Sequence, residues 1–198
     1  MKYHTAQSGF SLIETLVAIS ILLLVMIGPM TISSSAARST SFSSEQVTAF
    51  FLAQEGAELA QKIRDDLILT HTLFKGTNPS PWADFTTINT TYQNCYNASR
   101  GCGFTINAVQ TGTVNIINCG SSQTACALYL DTTTNNQRSK FTHTVGTNKS
   151  TPFTRKIYFT RVNANEVKVI SRVTWRSGNL RQEQKVEVET QLFNVYGN

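Results

Sequence analysis

Glu14 is the first residue of this chain with a chemical problem attached to it. Between Phe10 and Ile32 every other side chain is apolar, small or hydroxyl-bearing, and Glu14 is the only charge. A carboxylate in a low-dielectric environment costs several kcal/mol unless it is neutralised or paired, so its presence in such a run points to a partner cation. A Gly9-Phe10 junction stands just before the run, with Glu14 four residues beyond Phe10. The second group with chemistry is Cys95, Cys102, Cys119 and Cys126, two pairs with six residues between the members of each. An even count in an exported chain points to disulfides, and three connectivities are open. Pairing Cys95 with Cys102 and Cys119 with Cys126 closes two short loops around turn residues. The rival is a four-thiolate zinc site, whose paired cysteines are usually two to four residues apart. Otherwise the chain offers little to catalysis. His4, His71 and His143 are scattered, and no H-E-x-x-H, G-x-S-x-G or phosphate-binding glycine loop occurs. Asp84 and Asp131 stand alone in the middle of the chain, which does not supply the clustered oxygens a calcium site needs. No metal or cofactor is expected, and an enzyme tethered by an anchor is the weaker alternative.

The elements that position these groups follow from periodicity. The Phe10–Ile32 run, at about 1.5 Å per residue, is long enough to cross a hydrocarbon core of roughly 30 Å. Beyond it, Phe42, Ala49, Phe50, Ala53, Ala57, Ala60, Ile63 and Leu67 recur at helical spacing, opposite Glu45, Gln54, Glu55, Glu58, Gln61, Lys62 and Arg64. The pattern predicts one helix over 10–67, with Gly28 and Pro29 late in the apolar part and the pair Phe50 and Phe51 packed in a core. Residues 68–198 are then one head domain. Pro79 and Pro81 break any helix, and Trp82, Phe85 and Ile88 read as a packed turn or short strand. Phe104–Val109 and Thr113–Ile117 read as strands, and Asp131–Lys140 as a polar loop.

The C-terminal part is the clearest. Arg155–Val162, Val167–Trp175 and Lys185–Val195 are β-branched and aromatic with period two, which predicts a three-stranded antiparallel meander. Ile157, Phe159, Val167, Val169, Val173, Trp175, Val186, Val188 and Leu192 share one face, toward the long helix. A helix packed on an antiparallel sheet makes the fold class α+β.

A short polar leader, Gly9-Phe10, Glu14 and an unbroken apolar helix together resemble the N-terminus of type IV pilins and pseudopilins, over about the first 55 to 60 residues. The resemblance implies that a prepilin peptidase cuts between Gly9 and Phe10 and methylates the new amino group of Phe10. It implies a single-pass chain in the inner (cytoplasmic) membrane, handled by an assembly platform and extracted into an extracellular filament. There, Glu14 of one subunit would pair with the Phe10 amino group of a neighbour. Many pilins also carry a disulfide-bracketed loop near the C-terminus, and this chain has no Cys after Cys126. The competing readings of the N-terminus are an ordinary signal anchor and a cleaved secretory signal. The latter lacks a small-x-small site after a short apolar region.

Charge adds a second functional class. Residues 1–137 hold 6 Lys and Arg against 8 Asp and Glu, whereas residues 138–198 hold 11 against 4. Such a basic part can meet nucleic acid, an anionic polymer or an acidic partner surface. A two-residue turn at Gly178-Asn179 would set Arg172 opposite Lys185, and a three-residue loop at 163–165 would set Lys156 opposite Arg172. Lys156, Arg172 and Lys185 then form one row, with Arg176 one step along. This is a candidate contact for DNA or an anionic surface polymer, unless Glu187, Glu189 or acids of an adjacent subunit neutralise it. The competing functions are therefore a filament subunit, pilin or minor pilin, and an anchored or minor-subunit binding module.

Overall fold

The computed structural model describes Gly9 and residues 11–74, 81–87, 91–106, 113–120, 125–132, 140–177 and 182–195. The elements are α1 (Leu12–Phe74), α2 (Pro81–Thr86), β1 (Cys102–Ile106), β2 (Val114–Asn118), β3 (Ala127–Asp131), β4 (Lys140–Thr142), β5 (Lys149–Asn163), β6 (Glu166–Trp175) and β7 (Gln184–Phe193). The chain divides into two compact units, Met1–Ser44 and Glu45–Asn198. In the second, the later part of α1 packs against an antiparallel sheet, so the class is α+β.

That sheet is built around β5. One edge of β5 pairs with β6, and the other is shared by β3 and then β1; β4 extends the sheet from β3, β2 from β1 and β7 from β6. Burial along β5 and β6 alternates strictly over Phe153–Phe159 and Val167–Trp175, which puts Ile157, Phe159, Val167, Val169, Val173 and Trp175 inside. Leu192 of β7 is inside too, with Val186 and Val188 half-buried on the same side. The strand extends further toward its N-terminus than its sequence pattern implies, to Lys149. Pro152, which cannot donate to a ladder, falls at the irregularity in the β3–β5 register.

The buried face of the helix mixes small residues, Ala49, Ala53, Gly56, Ala57 and Ala60, with Leu52, Leu59 and Ile63. A Cβ at Gly56 would lie 3.1 Å from Arg155 Cδ and 3.3 Å from Ile157 Cδ1, and would press on Ser171 Oγ. Helix and sheet therefore approach almost backbone to side chain at this point. The expectation that Phe50 and Phe51 are core residues is wrong. They are 49% and 62% exposed, as an edge-to-face pair with centroids 6.1 Å apart. The face toward the sheet has no room for aromatic rings, so the pair falls outside it.

Bulk is supplied from elsewhere. Pro81 opens α2, where its missing N–H costs nothing, so the Trp82 to Phe85 segment is a helix rather than a turn or strand; Ile88 lies outside the described residues. Phe85 packs 5.1 Å from Phe159 and 5.4 Å from Tyr92, and Trp82 Nε1 donates to the Ala164 carbonyl at 2.7 Å. Desolvation pushes the Tyr92 phenol up to about 12.

Arg155 is the exception inside this core, and it sits in β5 at 1% exposure. It donates to the carbonyls of Leu52 in α1 (3.1 Å) and Phe104 in β1 (2.9 Å), and pairs with the Glu55 carboxylate at 2.7 Å. One cation thus joins a helix and two strands, and removing it strands acceptors in the interior. Arg155→Met is expected to cost about 2–4 kcal/mol in denaturant unfolding. Glu55→Gln is expected to cost no more than about 1 kcal/mol, because the Glu55 side chain is 40% exposed and water replaces part of its role. Equal costs would contradict this account of the clip.

His143 is also buried. Its Nδ1–H donates to the Ala127 carbonyl at 3.1 Å, and its Nε2 faces Gly103, where any Cβ would come within 2.9 Å. Burial, with the Arg155 charge adding to it, lowers the ring from 6.5 to about 4. The native state therefore stays neutral while the unfolded chain takes up a proton. Stability is lost as pH falls from about 6.5 to about 4, by on the order of 3 kcal/mol at most. Urea midpoints at pH 6.5 and 5.5, above the carboxylate range, should fall in the parent and stay level in His143→Gln.

Candidate functional site

The first unit carries the assembly candidate. The helix starts where the Ser11 carbonyl accepts the Glu14 N–H at 2.9 Å and the Thr15 N–H at 3.2 Å. Glu14 lies in this first turn, where the helix dipole favours an anion. Three hydroxyls of the run are spent on the helix itself: Thr15 donates to Leu12 O at 2.9 Å, Ser20 to Leu16 O at 2.8 Å and Thr31 to Gly28 O at 2.8 Å. Their polarity is thereby hidden from an apolar solvent.

All the large apolar side chains from Leu12 to Ile32 are between 50% and 81% exposed, on every side of the helix. A helix apolar all round belongs in a membrane or a protein core, and this one is long and apolar enough to cross a membrane. Pro29 lies inside it without ending it. A Cβ at Gly9 would meet nothing within 4 Å, so packing does not require glycine there. Phe10 and residues 1–8 lie outside the described residues, and with them part of the Gly9-Phe10 junction.

Residues 4–28 match the family model described as the prokaryotic N-terminal methylation motif. The chain carries the signature of type IV pilins and pseudopilins. That motif supports a pilin-like structural subunit, processed by a prepilin peptidase and assembled with other pilin subunits. The motif together with the apolar helix fits membrane anchoring followed by pilus assembly. Comparison with curated proteins and with solved structures finds no significant match.

The head cations are arranged differently from the sequence-based register. The β5–β6 ladder does set Lys156 opposite Arg172. In the β6–β7 ladder, however, Arg172 stands opposite Glu187, and Lys185 opposite Thr174. The cause is the connection: Trp175 pairs with Gln184, so residues 176–183 link the strands in place of a two-residue turn. The two-residue slip keeps every side chain on its face, which is why the pattern alone did not reveal it. The row of three cations does not form. Arg172 Nε donates to Glu187 Oε1 at 2.6 Å, with Lys185 Nζ 3.7 Å from the same oxygen, and Lys168 lies 3.7 Å from Glu189. Arg176 follows the end of β6, outside the ladder.

Both cysteine pairs are disulfides, Cys95–Cys102 and Cys119–Cys126, with Cα atoms 4.8 and 5.1 Å apart and no cysteine left free for zinc. Cys95 and Cys102 are part of the core cluster with Phe104 and Ile157. Among the described residues no group of His, Cys, Asp or Glu is placed to hold a metal. Arg155 is not singled out as a site residue by the sequence, yet it carries a signal there: it shares the parity of Ile157 and Phe159, which face inward. Peptide mapping under non-reducing conditions should return Cys95 joined to Cys102 and Cys119 to Cys126; a peptide joining Cys102 to Cys119 would contradict the arrangement.

Proposed function

We propose that this chain is a structural subunit, pilin or minor pilin, of a type IV pilus-like filament. The observation that carries the reading is the exposed, all-round apolar helix holding a single carboxylate inside the methylation motif. Cleavage after Gly9 creates a cationic, methylated amino group at Phe10. The chain then waits in the inner membrane and is drawn into the filament by an assembly platform. There, Glu14 and the Phe10 amino group of a neighbouring subunit relieve each other's desolvation and set the axial register. Neighbours also cover Val47, Phe50 and Phe51, which the head leaves exposed.

A second reading, a minor pilin, pseudopilin or anchored head that binds DNA or a surface polymer, is supported by the excess of Lys and Arg over residues 138–198. The two readings are compatible in one subunit.

Glu14→Ala tests the first. Filament number per cell should fall by tenfold or more, while urea unfolding of the head is unchanged, because Glu14 belongs to the unit Met1–Ser44 and the core to the other. Gly9→Leu should leave the chain unprocessed, detected as a mass larger by residues 1–9. Normal filament counts in Glu14→Ala would contradict the proposal.

A further inference from the structure

The outward face of β5 and β6 holds a cavity of about 120 Å³ lined by Thr154, Lys156, Tyr158, Arg172, Thr174 and Glu183. The register builds it: Thr154 stands opposite Thr174 and Lys156 opposite Arg172, while the side chains between them turn inward. One of its walls is held in place. The Arg172 guanidinium lies over the Tyr158 ring, 4.9 Å from the centroid, and its Nε is held by Glu187. Two like charges directly opposite on a sheet oppose each other. The Lys156 ammonium is disfavoured by burial and by Arg172, with Glu183 acting the other way.

We propose that this cavity is a subsite for one residue of an acidic saccharide, with the sugar carboxylate between Lys156 and Arg172. The lining favours that class over nucleic acid. A carboxylate on a sugar brings hydroxyl groups beside it, and these find partners in Thr154, Thr174 and the Tyr158 hydroxyl. Glu183 accepts a hydrogen bond from a sugar hydroxyl. A phosphodiester backbone brings acceptors alone and offers no hydroxyl donor to Glu183. This inference rests on the second reading above, binding by the head, and not on filament assembly.

The test uses the full chain in detergent micelles, with trigalacturonate and a 20-base-pair DNA duplex as probes, by calorimetry at low salt. Saturable trigalacturonate binding, weakened at least tenfold by Lys156→Gln and by Thr154→Val with the urea midpoint unchanged, is the expected result. Trigalacturonate binding unaffected by either variant, or no binding while the duplex binds, overturns the saccharide subsite but leaves head binding standing. If neither probe binds, the subsite and the binding reading both fall, and filament counts are untouched by either outcome.

Discussion

A helix that is apolar on every side cannot stay in water, and a carboxylate cannot stay unpaired in the medium that suits such a helix. Residues 12–32 of this chain impose both conditions at once. They must be covered by lipid or by other protein, and whatever covers them must also answer Glu14. Further along the same helix the requirement changes. There the helix needs only one buried face, and around Gly56 the residues on it are small enough for a sheet to approach. The change in side-chain pattern between these stretches coincides with the division of the chain into two units.

The head answers the close approach with an unusual core. The helix contributes Leu59 and Ile63 beside its alanines, while the aromatic side chains come from α2, from Tyr92, and from β1 and β5, and the Cys95–Cys102 disulfide fills space beside them. Arg155 reaches through this core to main-chain carbonyls on a helix and a neighbouring strand. A buried guanidinium is tolerable because its Nη1 and Nη2 meet fixed carbonyls and a carboxylate at the solvent boundary, while its Nε is left without a partner. The arrangement stabilises one particular docking of helix on sheet, since a shift of either element would leave those acceptors and that charge unmatched.

What could be read from the amino-acid sequence follows a physical division. Local periodicity fixed which side of β5, β6 and β7 faces inward, and the two cysteine loops were short enough to favour local closure. Register between β6 and β7 depends on the length of the connection, and a two-residue slip leaves the hydrophobic pattern intact, so Arg172 was assigned the wrong neighbour. Phe50 and Phe51 were misplaced because helical spacing marks a face without telling how near the sheet comes to it; Gly56 was the clue. Strands β3 and β4 are three to five residues long with weak alternation, so although they pair with each other across a short connection, nothing in their pattern announces them. At the N-terminus, by contrast, the signature is a property of consecutive residues, and it is legible without any tertiary structure.

The account makes the N-terminal helix a filament element and Phe10 its mature first residue. Mass spectrometry of filaments sheared from cells that express the chain tests this most directly. The account predicts that the chain is present in the filaments and that its N-terminal peptide begins at Phe10 with one added methyl group. Filaments that lack the chain, or that contain it with residues 1–9 still attached, would contradict the account.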